Sequence, residues 1–174
     1  AVLHASDGYS FFITRAELEE NSSILIQPQG KGKNLVYNMV GPRSKKAWVN
    51  GVVEITLIEA EPLQLSVGDM QSGFYSGEWL EEMDSTGLDL GDGVKKYQGV
   101  ALAVLFEEEL IEEGFSEFVF ESASGEIERL PADQIESDSG IRLFVVLDQD
   151  RVSYTAAHLD GTVYLMDLVR VSLR

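Results

Sequence analysis

The feature that most constrains this chain is that it repeats itself. Setting "DGYSFFITRAEL" (7–18) over "SGEIERLPADQI" (124–135) brings Gly8 onto Gly125, Ile13 onto Leu130 and Leu18 onto Ile135, a constant offset of 117. Ile24 then meets Ile141, and Ile26 meets Leu143. One residue is lost, and at an offset of 116 Val36 meets Val152, Trp48 meets Tyr164, Val53 meets Val169, Ile55 meets Val171 and Leu57 meets Leu173. Identity is low, yet apolar positions coincide in order through both stretches. Internal periodicity of this kind has to be recognised before individual elements are named, because it decides the architecture.

Both copies share a grammar. A β-rich start, "AVLHA" or "EFVFES", meets a turn at Asp7–Gly8 or Ser124–Gly125. A second strand and a short helix follow. Thr14 with Glu17 suits a capping box, and Pro131 suits a first helical position. The closing strand of the first copy alternates Val53, Ile55 and Leu57 with Glu54 and Thr56, as expected of a sheet with one wet face. Between the copies, "PLQLSV" (62–67) reads as a strand, "GEWLEEM" (77–83) as a helical turn and "DSTGLDLGDG" (84–93) as a loop. "YQGVALAVLFEEELIEEG" (97–114) reads as the best helix of the chain, ending at Gly114. The expected fold is α+β, with mixed, mostly antiparallel sheets, a few short helices and an internal pseudo-repeat. Residues 1–59 would be the C-terminal half of a first repeat. Residues 60–174 would be a second, more complete one, with 60–117 its N-terminal and 118–174 its C-terminal half.

Composition narrows the function classes. The chain has 30 acidic and 13 basic residues, a formal charge of −17. That field repels phosphate backbones and argues against nucleic acid as a partner. No apolar run approaches the roughly 20 residues that span a bilayer. With no cysteine, thiolate nucleophiles, thiolate metal ligands and disulfides are excluded within the chain. The compartment stays open, with an extracytoplasmic or cell-surface setting favoured, and the partners expected are other domains of a longer chain or a separate protein.

The order of motifs resembles the sulfite oxidase-type molybdopterin-binding domain. The resemblance rests on "SDGYS" (6–10), "MVGPRS" (39–44) and "KAWVNGVVEI" (46–55) in the first copy. In the second part it rests on the Tyr97–Gly99–Val100 helix start and the "RLPADQI" turn. The likeness covers most of 1–58 and 94–174; the second copy lacks the Asp-Gly-Tyr and Lys-x-Trp features. It implies a molybdopterin cofactor held through a cysteine thiolate between 68 and 94, with basic residues around the pterin phosphate. That stretch has no cysteine, Met70 and Met83 are thioethers, and Glu78, Glu81, Glu82, Asp84, Asp89 and Asp92 make it acidic. The resemblance therefore implies the fold and argues against the chemistry.

Few constellations carry chemistry. His4, Asp7 and Tyr9 sit at the turn that the resemblance places near the cofactor mouth, where such a trio could bind a ligand or move a proton. A strand-end histidine beside a polar turn is the simpler reading. His158 in "AAHLDG" reads as a surface turn. Asp84, Asp89 and Asp92 offer oxygens to calcium, although their spacing is not that of an EF-hand. "QGKGKN" (29–34) reads as a hairpin connection. The glutamates of "FEEELIEEG" read as a solvated helix face. The expectation leans away from an enzyme, toward a binding or structural module that kept an oxidoreductase fold without its metal site. A molybdopterin-dependent oxidoreductase domain and an acidic, calcium-binding or adhesive surface module are the alternatives.

Overall fold

A computed structural model describes residues 1–7, 10–13, 18–19, 22–41, 48–58, 62–74, 82–90, 93–106, 115–148 and 151–174. The chain divides into two compact units, the first made of Ala1–Ala60, Ser76–Glu81 and Leu147–Val152 and the second of Glu61–Tyr75, Glu82–Val146 and Ser153–Arg174.

In the first unit, β1 (Val2–Ala5) lies between β2 (Ser10–Phe12) and β5 (Val52–Thr56), antiparallel to both. A hairpin of β3 (Leu25–Gln29) and β4 (Val36–Val40) completes it, joined by residues 30–35 with a 3-10 turn at Gly32–Asn34. Met39 bridges to Val49. The apolar alternation of β1 and β2 puts Leu3, Ala5, Phe11 and Ile13 into a small core with Met39 and Val49.

The second unit has two five-stranded sheets. One orders β11 (Ile127–Pro131), β10 (Glu117–Ser122), β15 (Leu168–Leu173), β6 (Leu63–Val67) and β7 (Met70–Phe74). The other orders β14 (Val163–Leu165), β13 (Arg151–His158), β12 (Ile141–Asp148), β9 (Val94–Ala101) and β8 (Asp84–Asp89). Every pairing described is antiparallel except β15 with β6. Phe74 of β7 meets Tyr154 of β13 edge to face at 5.8 Å, and Phe118 packs between Phe106 and Phe120. Two short helices, α1 (Leu102–Leu105) and α2 (Ala132–Ser137), contact each other.

The repeat recurs in the pairing register. Val2 faces Phe12 as Val119 faces Arg129, and Val2 faces Thr56 as Val119 faces Ser172. The ladder slips at the same place, between His4 and Ala5 and between Glu121 and Ser122. At that bulge Ser6 N–H donates to Gly51 O at 3.0 Å, and Ala123 N–H donates to Asp167 O at 2.9 Å. Both acceptor residues are left-handed, Gly51 at φ 67° and Asp167 at φ 53°. Bulges re-aim a strand and concentrate twist, so the two copies share a bend as well as a topology.

The expected α+β class is overturned: among the described residues the protein is mostly β, with four sheets and only short helices. The error lies in the middle segment. Residues 84–93, read as a loop, hold β8, and 97–101, read as the start of the best helix, belong to β9. β9 has β8 and β12 along its two edges; Val94, Lys95 and Lys96 are exposed, whereas Tyr97, Gly99, Val100 and Ala101 are buried, so only the C-terminal half of the strand is covered on both faces. A continuous apolar run is what a doubly covered strand requires, and it matches a buried helix equally well. Helix survives only at α1; residues 107–114 lie outside the described residues, as do Thr14–Glu17 and most of 77–83. Pro131 ends β11 and caps α2 rather than opening it.

Candidate functional site

The densest set of interacting titratable side chains gathers around His158, where β13 runs out. Gly140, in the turn between α2 and β12, lies against the imidazole: a Cβ there would sit 2.4 Å from His158 Nε2. Asp138 shapes that turn by accepting from Gly140 N–H at 2.9 Å. Its other carboxylate oxygen is 3.3 Å from His158 Nε2, while Asp160 Oδ1 is 2.9 Å from Nδ1. Asp160 Oδ1 also accepts from Thr162 N–H at 2.8 Å, and Asp160 N–H points at Nδ1 from 3.1 Å.

Two carboxylates facing one imidazole favour its charged form. The hydrogen bond with Asp160 raises the His158 pKa above its ordinary 6.5; partial desolvation opposes this, and the charges of Asp160 and Asp138 add to it. The Asp160 carboxyl is held below its usual range by the Thr162 bonds first, then by His158. The Tyr164 phenol is raised, mainly by burial and further by the two aspartates. Both ring nitrogens thus face polar neighbours, Nε2 toward Asp138 and Nδ1 toward Asp160. The arrangement ties the α2–β12 turn to the β13–β14 turn. Next to it, an open cleft of about 630 Å³ is lined by Tyr164, Leu165, Ile127, Glu126 and Asp167 among others.

The residues singled out in the sequence fall elsewhere. His4 is in β1, opposite Ser10 on one side and Glu54 on the other. The equivalent cross-strand position of the second unit is the Glu121–Arg170 ion pair at 3.3 Å. His4 thus occupies a place where the fold sets one polar side chain against another across β1 and β5. Asp7 is exposed in the following turn, and Tyr9 lies outside the described residues.

Asp84 and Asp89 are the first and last residues of β8. At about 3.3 Å per residue they are roughly 16 Å apart, too far to share an ion. Arg142 Nη1 donates to Asp84 Oδ2 at 3.3 Å, and Gly93 N–H donates to Asp89 Oδ1 at 3.0 Å. Asp92 lies outside the described residues. Among the described residues no three His, Asp or Glu side chains converge as a metal site. The chain has no thiolate, and the 68–94 stretch presents Glu82, Asp84 and Asp89 where a phosphate would need cations. No helix among the described residues is long and apolar enough to cross a membrane.

A different kind of surface sets the first unit apart. β15 has β10 on one side and β6 on the other, whereas β5, its equivalent, is the last strand of its sheet among the described residues. Val171 and Leu173 are 0% exposed; Ile55 and Leu57, in the matching places, are 49% and 84% exposed. The alternation of Val53, Ile55 and Leu57 with Glu54 and Thr56 predicts that the three apolar residues face the core, but they are 67%, 49% and 84% exposed, so the covered face expected of β5 is not covered. No protein-family model and no curated protein matches this chain.

Proposed function

We propose that this chain is a non-catalytic binding or structural module that engages another polypeptide through the open edge of its first unit. The observation that carries the reading is the contrast between β15, flanked and covered, and β5, which among the described residues is flanked on one side and has Ile55 and Leu57 in solvent. An edge strand offers unpaired main-chain groups to another chain, and the exposed apolar face of Val53, Ile55 and Leu57 beside it adds an interaction surface. The likeness to the sulfite oxidase-type molybdopterin-binding domain is consistent with the same reading, as a relative that lacks the metal-ligating cysteine. Elemental analysis of the protein isolated from its own host tests it. The expected result is no stoichiometric molybdenum; one molybdenum per chain would overturn the reading.

A further inference from the structure

We propose that the edge of β5 is a strand-addition site for a segment of the β6 type. This partner is an extended polypeptide that runs parallel to β5, apolar at alternate positions, with a hydroxyl level with Thr56. The inference rests on the binding-module reading above and names how the partner is held.

The molecule contains its own template. β6 runs parallel to β15 with Gln64 opposite Arg170, Leu65 opposite Val171, Ser66 opposite Ser172 and Val67 opposite Leu173. At the repeat's offset of 116 those β15 positions are Glu54, Ile55, Thr56 and Leu57. β5 has the same antiparallel neighbour in the same register and the same bulge as β15. Its outer edge is therefore presented to a fourth strand as β15 is presented to β6. The buried Ser66–Ser172 hydroxyl pair, 2.7 Å apart, has its first-unit counterpart in Thr56, which supplies one hydroxyl and awaits the other.

Edges not meant for pairing are blunted by proline or lysine, and a bulge, such as the one at Val53, limits pairing to the residues beyond it. The β3 edge is of that kind. Pro28 stands where Val145 lies, the residue that pairs with Gln98 of β9 in the second unit. Between Val52 and Leu57 there is no proline, glycine or lysine, and Glu54 is the only charge. The first unit has thus given up pairing at the β3 edge while leaving the β5 edge able to accept a strand. Main-chain bonds to such an edge give affinity, and alternate side chains give specificity. Because Glu54 replaces Arg170, the partner is best served by a basic residue at the level of Gln64.

The experiment uses the full 174-residue chain and a synthetic β6–β7 hairpin of residues 62–74, in its native form and with Gln64→Lys. Hydrogen exchange should show amide protection gained across 53–57, with the Gln64→Lys hairpin binding roughly two- to fivefold tighter. Ile55→Asp with Leu57→Asp should abolish the protection. Leu57→Asp alone, at the more exposed position, should weaken it while leaving the thermal midpoint in place. The proposal fails if millimolar hairpin leaves 53–57 unprotected, or if protection changes at 168–173 instead. It also fails if β5 is already protected in the chain alone by a concentration-dependent dimer that Leu57→Asp dissolves, which would assign the edge to a second copy. Molybdenum content is a separate readout, so failure of the strand-addition proposal and failure of the non-catalytic reading are distinguishable.

Discussion

His158 shows how one residue can be conspicuous in sequence and structural in role. Its two nitrogens face Asp138 and Asp160, and its pKa is raised. A histidine whose folded pKa exceeds its unfolded value binds its proton more tightly when folded. The stability this contributes is fully present below about pH 6.5 and is lost as pH rises through the folded value. The thermal midpoint should therefore decline as pH rises above about 6.5. His158→Gln should flatten that decline, and Asp160→Asn should flatten it more than Asp138→Asn, because the Asp160 hydrogen bond is the largest cause. A midpoint whose pH dependence is identical in wild type and His158→Gln would show that the His158–Asp138–Asp160 contacts do not contribute to stability. None of this was visible in "AAHLDG" alone. The second carboxylate, Asp138, lies 20 residues away and reaches the ring only because Gly140 lets the backbone approach it.

At the level of elements, the parallel pairing of β15 with β6 is secured by a polar contact inside an apolar sheet. Ser66 and Ser172 are buried and bonded to each other at 2.7 Å. Removing one hydroxyl strands the other, so Ser66→Ala and Ser172→Ala should each cost about 1–3 kcal/mol by urea denaturation. The double variant should lose no more than either single one, since no buried hydroxyl is left without a partner. Additive losses would mean that each serine is held by separate contacts. The neighbouring element shows where sequence reading ran out. β9 was read as helix from its apolar run, and the discriminating residue was Gly99. Gly99 pairs with Phe144 of β12, and a Cβ on it would lie 2.6 Å from the Phe144 ring. A glycine that leaves room for an aromatic ring across a strand pair is a sheet device. In isolation, however, "YQGV" carries no record of the partner strand 45 residues on.

On the scale of the whole molecule, the repeat was legible because it needs only order and spacing, and both survive low identity. What spacing could not convey is that the two copies differ in completeness. They share three strands, one bulge and one left-handed residue, yet one has its outer edge covered and the other does not. The faces differ too, since Ile55 and Leu57 are exposed where Val171 and Leu173 are buried, and that difference has an energetic consequence. Burying Ile55 and Leu57 to the extent of Val171 and Leu173 would contribute about 2–4 kcal/mol, and the first unit also has the smaller core of Leu3, Ala5, Phe11, Ile13, Met39 and Val49. Local opening free energies follow such contact differences. Native-state hydrogen exchange should therefore find the amides of Val2–Ala5 and Val52–Thr56 opening at lower free energy than those of Glu117–Ser122 and Leu168–Leu173, despite their shared register. A strand that binds β5 and not the unfolded chain should raise the first pair alone, by mass action, and so narrow the gap. If both pairs open together at the global unfolding free energy, the first unit is no weaker than the second, and the open edge has no energetic cost for a partner to relieve.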